Sequence, residues 1–347
     1  MQDLSGMAVG RRRAVRGAVW LALRPGPAML CALLALPPGP LRGEGASGEA
    51  QRAFSGGEYA RAAALFKAAI EKDPSDPGPR HWLARCQYEL RQYDEAAKSE
   101  ERAVAIDPGR SEYHQWLGRA LGGRAERAGW LTAFVLARRV GAEFEHAVRL
   151  DPHNLRAQRD LIEFYGRAPG IVGGGQAKAW RQAEALAGIA PLEARLARAE
   201  LWRDQARPDR AEAEYRLVLE ARPGLPGPCL EVADFYEQRR DGPRMSEAVE
   251  AATAADRGDP QLAYYAGVAA FLLGGRDAEA ERLLAKYLDT VPPRSDLPTP
   301  AAAREWLGRL YERGGQRAAA AREYQSALAL DPDRKGAREA LRRLGRE

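Results

Sequence analysis

From about residue 48 onward the chain carries one pattern: apolar residues three and four apart, in short blocks separated by Pro, Gly and Asp. No stretch alternates with period two, so the spacing predicts a chain that is almost wholly α-helical. The blocks recur. Prolines punctuate them at Pro74, Pro108, Pro152, Pro191, Pro223, Pro260, Pro292 and Pro332, 32 to 44 residues apart. Proline cannot extend a helix and pushes its predecessor out of the helical region, so each of these is read as closing a unit. Small and aromatic residues return at fixed offsets inside the units. The last has Leu307, Gly308 and Tyr311 on one helix and Ala320, Tyr324 and Ala327 on the next, with Gly314–Gly315 between. The second keeps Leu83, Ala84, Ala96 and Ala103, and the first Ala62, Phe66 and Ala69. Small residues let two helices approach closely, and the aromatic fills the gap toward the neighbouring unit.

This pattern resembles the tetratricopeptide repeat over residues 48–333. The resemblance implies an all-α, right-handed superhelical solenoid of about eight helix-turn-helix units, with the first helix of each pair (helix A) lining a concave face. Arg334–Leu344 turns Ala337, Ala340, Leu341 and Leu344 to one side and Arg338, Glu339, Arg342 and Arg343 to the other. That is the polar-backed cap such arrays need, and the cap is assigned to residues 334–347. Residues 47–347 are expected to form one continuous array, weakest at the irregular units 155–190 and 224–260.

Two departures from the period stand out. About ten extra residues enter between Leu117–Gly118 and Phe144, and they include the apolar stretch Trp130–Leu136. Packing on the next unit is the favoured reading of that stretch, and a contact for a partner is the other. The second departure is the Gly-rich run at residues 167–175. It is read as a longer inter-helix turn in preference to an anion cradle, because it lacks the Gly-Lys-Ser/Thr ending and the preceding strand of a P-loop. Its Ala-Pro-Gly-x-x-Gly-Gly turn at 168–174, with the extended third unit, resembles bacterial repeat proteins of uncharacterised role.

Charge changes the picture only at the N-terminus. The formal charge is +5, but the six arginines among the first 46 residues face only Asp3 and Glu44, so the body lacks the basic field that nucleic acid requires. A basic cluster at Arg11–Arg16, an apolar stretch at Ala28–Leu36 and then small residues form the order of an export signal. Residues 1–46 are therefore expected to direct export, with cleavage between Gly43 and Ser47 and a periplasmic mature chain. A cytoplasmic tail behind a mis-assigned start is the alternative. The apolar stretch is too short to span a bilayer, so membrane contact is expected only through this segment if it stays uncleaved. The strong preference for Arg over Lys suggests a GC-rich, bacterial coding sequence. Cys86 and Cys229 each sit in an apolar helical pattern and are read as buried and unpaired.

No catalytic constellation is legible. His81, His114, His146 and His153 show no metal spacing, and no nucleophile elbow, zinc-binding helix or dinucleotide fingerprint occurs. No cofactor is expected. The chain reads as a non-catalytic scaffold that binds an unidentified protein or peptide segment in its concave groove. A structural subunit of a cell-envelope complex is the first alternative, and an enzyme with a site invisible in sequence the second. The repeat register places His81, Arg85, Tyr88, Glu89, Gln115, Arg119, Glu200, Arg203, Glu305, Arg309 and Arg313 in that groove. Arg85 and Arg119 stand one repeat apart and are expected to meet a carboxylate through bidentate hydrogen bonds, unless neighbouring acids take them first. On the groove reading, reversing both charges weakens binding and leaves the fold intact. Asn154 is the only asparagine, so the Asn-containing carboxylate clamp of chaperone-binding tetratricopeptide proteins is not available.

Overall fold

The computed structural model describes residues 46–345 apart from Arg222, so the expected export segment lies, but for its last residue, outside the described chain. The described residues hold seventeen α-helices and one short 3-10 turn, with no strand among them. Eight pairs follow one another: α1 (Ala46–Ser55) and α2 (Tyr59–Lys72), α3 (Gly78–Glu89) and α4 (Tyr93–Ile106), α5 (Ser111–Arg127) and α6 (Trp130–Leu150), α7 (Leu155–Arg167) and α8 (Gln176–Ala187), α9 (Pro191–Asp204) and α10 (Pro208–Glu220), α11 (Pro226–Arg239) and α12 (Gly242–Ala255), α13 (Leu262–Leu273) and α14 (Asp277–Thr290), α15 (Pro300–Arg313) and α16 (Arg317–Leu330). The cap follows as α17 (Lys335–Leu344), which buries Ala337 and Ala340. The chain divides into two compact units at Tyr215–Arg216, inside α10, and not in either irregular stretch. In 155–190 the expected weakness is offset by bonds such as Gly175 N–H to the Tyr165 carbonyl (2.8 Å) and Gln182 to Gln158 (2.6 Å).

Four of the stops between units share one mechanism. Asp73, Asp107, Asp151 and Asp331 each precede a proline, and each takes an extended conformation with φ between −131° and −142°. Each then accepts the N–H two residues on through its own carboxylate, as Asp73 does from Ser75 at 3.0 Å and Asp151 from His153 at 2.9 Å. This Asx turn replaces the helical hydrogen bond that proline forbids. Pro191 corrects the sequence reading. It opens α9 at the first helical position, where a missing N–H costs nothing, and α8 has already ended at Ala187.

Most of the turns from helix A to helix B place a residue in the left-handed region, the α5–α6 turn being an exception. Gly57 and Gly315 supply it (φ 77° and 71°), but Arg91, Ala206 and Arg240 occupy the same kind of position at φ 54–58°. Packing imposes the turn even where no glycine relieves it.

Pair packing explains the small residues. A Cβ on Gly118 would stand 2.5 Å from the Phe144 ring, and one on Gly308 would stand 2.6 Å from the Tyr324 ring. Gly122, one turn along the same helix as Gly118, has open space. Gly118 and Gly122 therefore predict opposite signs. Gly118→Ala lowers the unfolding free energy by about 1–3 kcal/mol through overpacking, whereas Gly122→Ala raises it by up to about 1 kcal/mol through helix propensity. Urea denaturation of the two single variants checks both.

The inserted stretch divides between its two readings. Leu136, Ala137 and Val140 join Phe144, Leu161, Phe164 and Val172 in a core cluster, and Ala133 is buried, as packing requires. Trp130, Leu131 and Val135 point away from it and are 51%, 62% and 65% exposed, which corrects the expectation of simple burial. An α-helix apolar on both sides can bury only one of them. The Gly-rich run is a turn: the N–H groups of Val172, Gly173, Gly174 and Gly175 all donate to nearby backbone carbonyls, leaving no cradle for an anion.

Candidate functional site: an arginine-aromatic cluster on the A helices

Positions three, four and seven apart share a helix face, which aligns His81, Arg85 and Tyr88 on α3 and Glu112, Trp116 and Arg119 on α5. The structure brings most of these together around Trp116. The Arg85 guanidinium lies 4.2 Å from the Trp82 ring, 4.9 Å from Trp116 and 5.1 Å from Phe54 of α1. Arg119 approaches the same Trp116 ring at 5.2 Å, and Tyr88 meets it edge-on at 5.6 Å. Trp116 Nε1 is buried without a hydrogen-bond partner among the described residues.

Sequence reasoning missed Trp116, Trp82 and Phe54. The signal was present as Trp-x-x-Arg, which occurs at Trp82–Arg85, Trp116–Arg119 and Trp306–Arg309, and in each case the arginine stacks on its own tryptophan.

Several expected groove residues lie inside the inter-helix packing instead. His81 is buried between Glu100 (Nδ1 to Oε1, 2.7 Å) and Glu112 (Nε2 to Oε1, 3.3 Å). Burial alone would lower its pKa, but Glu100 and Glu112 outweigh that and raise it to about 9, so the imidazolium is the resident form. Gln115 is buried and donates to Asp160 of α7 at 2.8 Å. Arg119 gives Asp160 a two-pronged hydrogen bond, 2.7 Å from Nε and 2.9 Å from the terminal nitrogen. The expectation that Arg119 offers its fork to a partner is therefore corrected, because a buried acid one A helix away already holds it.

The same device continues along unit 1. Arg159 of α7, buried, binds Glu193 and Glu200 of α9, each at 3.0 Å. Glu200, expected in the groove, is thus a partner of Arg159, and Arg203 donates to the Tyr215 hydroxyl at 3.1 Å. Glu89 remains half-buried beside Tyr88. Within unit 2, Glu305 is buried and accepts from Arg309 (2.5 Å) and Arg334 (2.6 Å), while Arg313 pairs with Asp277 and covers the Phe271 ring at 3.8 Å. Glu237 of α11 accepts from Tyr264 of α13 (2.7 Å) and Trp306 of α15 (2.8 Å). Successive A helices are thus cross-linked by buried, charge-assisted hydrogen bonds within each unit. The groove set divides accordingly into cross-links (His81, Gln115, Glu200, Glu305), cations held by neighbours (Arg119, Arg203, Arg309, Arg313) and the partly exposed Arg85, Tyr88 and Glu89.

Reactive chemistry does not converge. Burial pushes the Cys86 thiol up to about 12 and the Cys229 thiol up to about 11, the reverse of an activated nucleophile. His114 and His146 stack at 4.2 Å, with His114 bound to Glu143, and no group of three potential metal ligands occurs among the described residues. An open cleft of about 1020 Å³ in unit 2, between the end of α10, α11 and α12, has Cys229 and Tyr236 in its wall and Ala251, Ala254 and Ala255 along its side.

Two stretches, residues 53–120 and 302–334, match models of the tetratricopeptide repeat. No curated protein matches the chain. Among solved structures, yeast Tom70 aligns with 100% of this chain and 74% of its own, at 13% identity and a TM-score of 0.60. A thermophilic tetratricopeptide protein from Thermus thermophilus covers 50% of this chain and 89% of its own, at 24% identity and a TM-score of 0.43. A tetratricopeptide repeat protein from Parabacteroides merdae covers 86% and 97%, at 13% identity and a TM-score of 0.43. The Tom70 alignment shows a shared fold. With the two matched stretches it supports tetratricopeptide-repeat character.

Proposed function

We propose that this chain is a non-catalytic scaffold that receives a carboxylate-bearing peptide or helix segment on the A-helix face of unit 1, at Arg85. Tetratricopeptide-repeat proteins mediate contacts between proteins, and the premise here is that architecture. The observation that carries the reading is the stacking of Arg85 among Trp82, Trp116 and Phe54. A guanidinium gripped by its faces holds its N–H fork in a fixed plane, which lowers the entropy lost on meeting a planar carboxylate. The reading extends to export, supported by the basic, apolar and small order of residues 1–46.

The test uses the full chain as bait in its native extract, wild type beside Arg85→Glu. A specific protein captured by wild type and depleted at least about tenfold from Arg85→Glu supports the site. Identical capture profiles overturn it. Arg119 is unsuitable for this comparison, since Arg119→Glu sets a second carboxylate against buried Asp160 and is expected to cost about 3–5 kcal/mol of stability. Arg85→Glu loses stacking on a partly exposed face and sets a carboxylate near Glu112, and is expected to cost about 2–3 kcal/mol. Parallel denaturation curves separate the two.

A further inference from the structure

We propose that the A-to-B turn edge of unit 1, centred on the start of α6, is a peripheral docking surface for an anionic lipid bilayer. Trp130, Leu131 and Val135 project from the first two turns of α6 and are half to two-thirds exposed. Ile171, 63% exposed, sits on the 3-10 turn that packs against the same helix, and its neighbour Val172 is buried in the same core cluster as Leu136 and Ala137. The four apolar side chains thus stand on two elements that pack together, at the two places where the repeat departs from its period. The other strongly exposed apolar residues of the described chain, such as Leu330, are single positions elsewhere.

The charge along these two stretches is net positive. Residues 124–140 hold four arginines and a single acid, Glu126, and residues 167–181 hold Arg167, Lys178 and Arg181 with no acid. Arg124, Arg139 and Arg167 are neutralised by carboxylates. Arg127, Arg138, Lys178 and Arg181 make no ion pair among the described residues. Arg127 instead donates to the Arg91 carbonyl and covers Tyr93, and Lys178 donates to the Gly173 carbonyl and covers Tyr165.

An apolar tip containing tryptophan and rimmed by cations matches the interface of an anionic bilayer, where the ring sits at headgroup depth and each cation gains from the surface potential. No helix of the described residues is long and apolar enough to cross a membrane, so the contact is made from one side. A second copy fits the patch less well. An isologous pair would place the two basic rims against each other, and four side chains fall far short of the roughly 800 Å² per partner of a stable interface.

The experiment is co-sedimentation of the full chain with phosphatidylcholine vesicles, with and without about a third phosphatidylglycerol. Wild type is compared with the triple variant Leu131→Gln, Val135→Gln and Ile171→Gln, residues 1–45 being present in both. These positions are exposed, and circular dichroism monitors the fold. Wild type is expected to bind the anionic vesicles about tenfold or more tighter than the variant does, and to lose most of that binding on pure phosphatidylcholine. Brominated acyl chains should quench wild-type emission and largely fail to quench Trp130→Phe. Three results would overturn the proposal: equal binding by wild type and triple variant, binding indifferent to phosphatidylglycerol, or self-association by light scattering that the triple variant abolishes.

Discussion

Arg159→Ala is expected to lower the unfolding free energy of the chain by about 3–5 kcal/mol, read from chemical denaturation. The guanidinium is 4% exposed and joins two carboxylates of the next A helix, at Glu193 and Glu200. Truncation removes the cation that both acids share and leaves two like charges in a desolvated seam, which costs more than the lost hydrogen bonds themselves. Removing all the charges together should restore most of the loss. The triple variant Arg159→Met, Glu193→Gln, Glu200→Gln is therefore predicted to sit within about 1–2 kcal/mol of wild type. A cost below about 1 kcal/mol for the single variant would mean that the seam is solvated and that the A helices are not held by it. The binding proposed at Arg85 requires the same kind of rigidity between α3 and α5, because Arg85 and Trp116 belong to different A helices and their stacking survives only while those helices keep their spacing.

Stability should also fall as pH rises through the range in which His81 loses its proton. The free imidazole titrates near 6.5, and burial between Glu100 and Glu112 leaves the folded value at about 9. Below about pH 6.5 both folded and unfolded chains carry the proton, and the His81 contribution is fully present. Between the two values only the folded chain binds it, so unfolding releases a proton and stability declines with rising pH. Above about 9 the contribution is gone, a total change of about 3 kcal/mol. Burial raises the Glu100 pKa, so its ionisation acts in the same direction. Unfolding free energies measured from about pH 6 to about pH 10 should show this slope, and His81→Gln should flatten it. Parallel decline in wild type and variant would assign the slope to other groups.

Local signals carried much of the architecture. The Asp-Pro stops were legible because both halves of the mechanism, the proline ring and the Asx turn, act within three residues. Gly118 and Gly308 were legible as close-approach positions because the repeat returns them to the same offset, opposite Phe144 and Tyr324. The candidate site was only half legible. Arg85 was placed by register, but its tryptophan neighbours were not singled out. Pro191 was misread because a proline that closes one unit and a proline that opens the next look alike in sequence.

Helical class, the number of pairs, the four Asp-Pro stops and the polar-backed cap were determined by the sequence alone, since helix periodicity and proline stereochemistry act over three or four residues. Tertiary structure decided which polar A-helix residues turn inward. Asp160 meets Arg119 across 41 positions and Glu193 meets Arg159 across 34, and the rotation between neighbouring helices selects those offsets among several that the repeat allows. It also decided which side of the doubly apolar start of α6 is buried, because a helix can give only one face to the core.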